Sequence, residues 1–190
     1  IYPVLMARLQ AALPGCEIKV DAKAPFPSLH RMLCTEVDAA LYLPFRPRQE
    51  EVVYTPILRN DCYLVAGPKH PLHAHTTLHP ADLARQRIFY EPLYGEIVQF
   101  LRTQPGMPFH APDWQQTASY EACYAGLLSG QCLFLSSIQY PAFPKEWYLP
   151  LELPIPLPDT CLLTLRDDPR PEIETLRETF VDVYRSFGMI

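Results

Sequence analysis

Apolar positions recur along the chain with two periods. Val4, Leu5, Leu9, Ala12 and Leu13 fall near helical spacing, Tyr2 and Met6 widen the stripe, and Pro14-Gly15 ends it, so a helix is predicted over residues 1–13. Glu17 to Val20 reads as a short strand. Pro27-Ser28-Leu29 opens a second helix that carries Leu29, Met32 and Leu33 and ends near Glu36. Val37 to Leu43 is mostly apolar, as expected of a strand buried on both faces. Strand, helix and strand within about 30 residues make a βαβ unit.

Glu51 to Pro68 is a long extended stretch with Val52, Val53 and Tyr54 and then Cys62 to Val65, broken at Gly67-Pro68-Lys69-His70-Pro71. The rhythm then restarts. Short helix over 81–84, strand over 88–90, helix over 95–102 and strand over 113–117 follow one another. Ser119 can cap a helix in which Tyr120, Cys123, Tyr124, Leu127 and Leu128 share a face, and Gly130 stops it. Cys132 to Leu135 is a buried strand. Trp147 to Leu153 is an extended path back, Leu162 to Leu165 a strand, and a final helix starts near Glu172. This pattern is α/β and predicts two lobes: residues 1–66 with 148–190 in lobe I, and 67–147 in lobe II, the chain crossing twice. A cleft between two such lobes is a natural small-ligand site.

Composition narrows the function. The 190 residues are 48% apolar and 19% charged, as in a soluble globular protein, and no run reaches the apolar length of a membrane span. The seven glycines include no G-x-G and none precedes a Lys, which excludes the dinucleotide fingerprint and the phosphate-cradling P-loop. The net charge is −5 with scattered basic residues, so this chain alone is a poor polyanion binder. The six cysteines contain no C-x-x-C pair and sit mostly in apolar stretches, which suits reduced thiols in the cytoplasm better than a disulfide scaffold. The chain starts in what reads as mid-helix, with no initiator Met and no leader, so an upstream segment is expected.

Catalytic constellations fail one by one. None of the six serines lies in G-x-S-x-G. Glu50-Glu51 and Asp167-Asp168 read as solvated loop charges. His70, His73, His75 and His79 fall within ten residues, and His73-x-His75 has ligand spacing on a strand, but the segment is loop-like and there is no H-E-x-x-H, so a solvated loop is expected. Cys123 and Cys132 lie in apolar helix and strand positions and read as core residues rather than a redox pair. We expect no catalysis, no metal and no cofactor.

Several segments, in order, resemble the effector-binding domain of LysR-type transcriptional regulators. Ile1 to Leu5 through Leu13-Pro14-Gly15-Cys16-Glu17-Ile18 is similar to that family's first helix, Pro-Gly turn and second strand. Glu36-Val37-Asp38-Ala39-Ala40-Leu41 resembles its G-x-x-D-A-A-I strand. Asp61 to Val65 followed by Lys69-His70-Pro71-Leu72 resembles its strand and H-P-L signature, and Leu78 with Asp82-Leu83 its L-x-D-L helix. Ala125 to Cys132 resembles V-x-x-G-x-G-I-x-x-L-P. Departures are Glu36 for the usual glycine, Cys132 for the second glycine and Ser136 for the following proline. Peroxide-sensing members carry a reactive cysteine after the strand that matches 88–90; Tyr94-Gly95-Glu96 has none.

The resemblance implies a periplasmic-binding-protein-like type II fold, two Rossmann-like lobes with a central cleft. It implies a small-molecule effector, anionic or aromatic, and a homo-oligomer, dimer or tetramer, that pairs residues 1–13 with about 120–130 or a neighbouring lobe-II helix. DNA would be contacted only through a winged helix-turn-helix outside this chain. Strand ends and helix N-termini would point into the cleft, where free N–H groups favour anions. The candidate contacts are the turns there: Ala24, Pro25 and Phe26; Tyr90, Glu91, Leu93 and Tyr94; Thr117, Ala118 and Ser119; Ser136 and Ser137. The rival expectation is a periplasmic-type solute-binding protein or an enzyme of the same two-lobe fold.

Overall fold

A computed structural model of the chain describes residues 1–20, 28–103, 112–118, 120–139 and 143–190, with the side chains of Leu93 and Tyr120 left out. The helices are α1 (Tyr2–Ala12), α2 (Leu29–Thr35), α3 (Gly95–Arg102), α4 (Tyr120–Ser129) and α5 (Pro171–Ser186). The strands are β1 (Ala40–Tyr42), β2 (Val52–Leu58), β3 (Tyr63–Ala66), β4 (Arg87–Tyr90), β5 (Asp113–Gln116), β6 (Leu133–Ser136), β7 (Tyr148–Pro150) and β8 (Thr160–Leu165). Two compact units result, one of Ile1–Arg59 with Pro158–Ile190 and one of Asn60–Leu157.

In the first unit β8 is the middle strand of an antiparallel sheet ordered β1-β8-β2. Cys161 and Leu163, two apart and therefore on one face, pack with Val52 and with Leu29, Met32 and Leu33 of α2. Ser28 starts α2 by accepting a hydrogen bond from the Arg31 N–H at 3.3 Å. α5 lies against β2 and β8. It begins at Pro171, carries Glu172 and Glu174 in its first turn and Arg185 in its last, an arrangement that favours its dipole. α1 docks on α5 through Leu5, Leu9, Leu13 and Val183.

β8 also carries Thr164, fully buried, whose Oγ1 has no hydrogen-bond partner among the described residues. Thr164→Val keeps the branched shape and removes the unpaired hydroxyl, so it is expected to raise stability by about 1 kcal/mol in urea unfolding. A fall in stability would show that the hydroxyl is bonded.

Asp38 ties β1 to α5. The Arg170 guanidinium donates to Asp38 at 2.6 Å and grips both Asp168 oxygens at 2.9 and 2.7 Å. The hydrogen bonds from Arg170 hold the Asp168 carboxyl below the usual carboxylate range. A depressed folded pKa stabilises the fold above the unfolded value and loses that contribution as pH falls through the folded one. Acid titration of the Arg170→Ala variant should therefore show a shallower stability loss below the ordinary carboxylate range than the native chain.

The second unit is a five-stranded sheet ordered β5-β4-β6-β3-β7. β4 runs parallel to β5 and β6, and β3 runs antiparallel to β6 and β7. Val65, Phe134 and Tyr148 from the sheet pack with Cys123 and Leu127 of α4 and with Cys132, Phe143 and Trp147. Tyr124 stacks on Phe143 at 6.0 Å and on Trp147 at 6.3 Å. Ile88, Leu133 and Leu135 alternate to the other face and are fully buried.

Four expectations change. Glu17–Val20 has no regular structure: a strand needs a ladder partner, whereas Glu17 and Lys19 pair with each other at 3.0 Å and Val20 is 64% exposed. The βαβ unit expected over 17–43 is therefore not formed by the described residues, and the first unit's sheet is antiparallel there. The stretch 51–68 is two strands in different units, because β3 bonds to β6 and β7 while β2 bonds to β8. The crossings accordingly fall at 59/60 and 157/158 rather than 66/67 and 147/148. On the return path, Leu151 bridges Leu78 and keeps β7 with the second unit.

Candidate functional site

Because β4, β5 and β6 are parallel, their C-terminal ends leave the second unit's sheet at one edge. Tyr90 is opposite Gln116, and Phe89 is opposite Phe134 two residues before Ser136. The Thr117 N–H donates to the Tyr90 carbonyl at 2.9 Å, extending the ladder past the end of β5. The edge thus gathers Tyr90 with Glu91, Thr117 with Ala118, and Ser136 with Ser137. α3 and α4 start within five residues of β4 and β5, so their N-termini lie near the same edge.

The expected contacts divide by exposure. Tyr90, Glu91, Thr117 and Ser137 are half-buried and Ala118 is exposed. Tyr90 meets the buried Trp114 edge to face at 6.4 Å, which holds one side of its ring. Tyr94 is only 2% exposed and its N–H closes a short turn on Glu91. Ser136 is fully buried, its hydroxyl donating to the Ile138 carbonyl and accepting from the Ile138 N–H. These two side chains shape the edge from beneath. Leu93 belongs to the 3-10 turn Pro92–Tyr94. Ala24, Pro25, Phe26 and Ser119 lie outside the described residues.

Sequence reasoning missed Tyr63 and Asp61. β3 is antiparallel to β6, so its first residue, Tyr63, stands opposite Ser136 at the same edge. The Tyr63 hydroxyl donates to Asp61 at 2.9 Å, and partial burial together with Asp61 pushes its phenol pKa up. The signal was available in principle: an antiparallel partner enters a sheet where its parallel neighbours leave.

This edge offers hydroxyls, aromatic faces and carboxylates, a set suited to holding a ligand. The Cys62 thiol beside it is pushed up to about 12, chiefly by burial and then by Asp61, and is protonated at neutral pH. Burial pushes Cys123 up to about 12 as well and raises Cys132, whose Sγ lies 3.9 Å from the Cys123 carbonyl. Both are core thiols.

Three of the four clustered histidines have local work. Burial lowers the His70 pKa; its neutral ring accepts from the Leu72 N–H at 3.2 Å and caps the turn Pro71–Ala74. His70 is thus a buried cap and not part of a solvated loop. His73 Nδ1 lies 2.9 Å from the Ala66 carbonyl and His79 Nδ1 lies 3.2 Å from Glu152. Among the described residues no three His, Cys, Asp or Glu side chains converge as a metal site, and no helix is long and apolar enough to cross a membrane.

The structure is similar to the BenM effector binding domain with its effector benzoate, at 16% identity and a TM-score of 0.75, covering 99% of this chain and 87% of that one. It is similar to the reduced OxyR regulatory domain from Pseudomonas aeruginosa, at 18% identity and a TM-score of 0.69, covering 95% and 90%. Full-length BenM matches at 15% identity and a TM-score of 0.78 over all of this chain, which spans 64% of that protein. These likenesses show a two-unit fold shared with regulatory domains, the periplasmic-binding-protein-like type II fold. No curated protein matches the sequence. The family described as the LysR substrate binding domain matches residues 1–185, nearly the whole length, and the chain belongs to it.

Proposed function

We propose that the chain is the effector-sensing domain of a LysR-type regulator and that the second unit's strand edge holds an aromatic or amphipathic metabolite without transforming it. The observation that carries the site is the shared edge of β4, β5 and β6, where Tyr90, Thr117 and Ser137 present aromatic and hydroxyl groups side by side. Asp61 and Glu91 at this edge disfavour a ligand that is purely anionic, whereas the starts of α3 and α4 favour one. An aromatic body with both a donor and an acceptor satisfies the two demands together. BenM takes benzoate, a ligand of that general shape.

A ligand acts as a switch only if it prefers one arrangement of the protein by a few kcal/mol. The readout we propose is control of DNA contacts made by a segment outside this chain, in a cytoplasmic homo-oligomer. Exposed Tyr2 and Val4 on α1 and Tyr124 and Leu128 on α4 support pairing between copies through these helices. A thermal-shift screen of aromatic metabolites and small carboxylates, followed by calorimetry, tests the reading. The Thr117→Ala, Ser119→Ala double variant should bind the hit at least tenfold more weakly while still melting as a folded domain. Equal affinity would place the ligand elsewhere, and turnover of the hit would remove the non-catalytic reading.

A further inference from the structure

The first unit carries a concavity of about 390 Å³ that the effector reading does not use. It lies where β2 starts and β8 ends, the opposite end of that sheet from the C-termini of β1 and β2. Arg48, Gln49, Glu50, Tyr54 and Arg166 line it together with Val52 and Val53.

Two of the arginines that form no ion pair among the described residues line the concavity. Arg87, Arg170, Arg177 and Arg185 each pair with a carboxylate. Among the described residues neither Arg48 nor Arg166 does, although Glu50 and Glu51 are adjacent in a chain of net charge −5. Both side chains are exposed, and one contact orients each. Arg48 lies over the Tyr54 ring, 5.3 Å from its centroid. Arg166 donates from Nε to the Glu50 carbonyl at 2.6 Å, which leaves its terminal nitrogens for another acceptor.

The loop between them is fastened as well. The His30 N–H donates to the Gln49 side chain at 3.0 Å, the Gln49 N–H donates to the Tyr54 hydroxyl at 3.2 Å, and the Arg166 N–H donates to the Glu51 carbonyl at 2.9 Å. Orienting two planar forks before a ligand arrives lowers the entropy cost of binding. Forks of this kind match the oxygen pairs of carboxylate and phosphate.

We infer that this concavity is a second ligand site, distinct from the strand edge, and that Arg48 and Arg166 together take the oxyanion of a small carboxylate or phosphate. The volume suits a metabolite of modest size.

The test is calorimetric titration of the intact chain at low ionic strength with inorganic phosphate and, separately, with succinate, each to about 10 mM. One probe or both should bind saturably, and the better probe distinguishes phosphate from carboxylate. Arg48→Gln breaks no backbone hydrogen bond and should weaken binding at least tenfold, as should Arg166→Gln. Arg102→Gln, on α3 of the other unit, removes the same charge and should leave the affinity unchanged. Melting curves verify that each variant is folded; if Arg166→Gln is not, Arg48→Gln decides. Absence of saturable binding by either probe, or an equal loss in Arg102→Gln, overturns the site.

Discussion

Gly67→Ala is expected to weaken the second unit by about 3 kcal/mol or more, because the backbone leaves no room for a methyl group. A Cβ there would lie 1.9 Å from the Leu127 carbonyl oxygen and 2.7 Å from its carbon. Both atoms are α4 backbone, so no side-chain rotation relieves the clash. The contact is reciprocal. Gly130, just past α4, sits at φ +73°, and a Cβ on it would lie 2.5 Å from the Lys69 carbonyl oxygen.

The turn 67–70 and the end of α4 therefore press together through bare backbone on both sides. The turn is itself held by the His70 N–H on the Gly67 carbonyl at 2.9 Å. This gives the His-Pro-Leu segment a physical meaning: it seats the chain leaving β3 against α4. In a thermal melt the variant should unfold about 6 to 12 °C below the native chain. An unchanged melting temperature would mean that α4 can slide away without loss.

Phe134→Ala should cost about 3–5 kcal/mol, the range for an aromatic side chain removed from a core. Phe134 is fully buried on β6, an interior strand paired on both sides, and contacts Phe143 with ring centroids 6.2 Å apart. The layer above it is aromatic and stiff, so the void will collapse poorly. Phe187→Ala is the control: that ring is 47% exposed and its loss should stay within about 0.5 kcal/mol. Urea unfolding followed by circular dichroism reads both. A cost below that of the control would show that Phe143 and Trp147 refill the space. The consequence for binding is direct, because β6 ends at Ser136 and leads into Ser137 at the candidate edge.

Periodicity located the elements whose burial is one-sided. The helical stripe from Ile173 to Tyr184 foretold α5, and the apolar face of Cys123 and Leu127 foretold α4, because a helix that covers a sheet must show its apolar face in sequence. Glu17–Val20 looked like a strand because alternation records only what each side chain wants and not whether a neighbour offers hydrogen bonds. The stretch 51–68 looked continuous because Arg59 to Asp61 carry no proline or glycine to mark a change of sheet.

The candidate edge was legible in outline, since a turn after each strand of a parallel set must share one side of it. Which side chains face outward was not. Tyr94 and Ser136 are polar in composition yet buried, and for Ser136 the bonds to Ile138 show why. The resemblance supplied family motifs, and the structure shows two of them to be mechanical: Asp38 holds Arg170, and His70 caps a turn.

The sealed thiols make the molecule its own reporter. Cys161 belongs to the first unit and Cys62, Cys123 and Cys132 to the second, all four buried, while Cys16 and Cys34 are exposed. With the two exposed cysteines changed to serine, a thiol-specific label would react only during transient openings. Mass spectrometry of the tagged peptides would then time the breathing of each half separately, and a bound metabolite would announce which half it quiets.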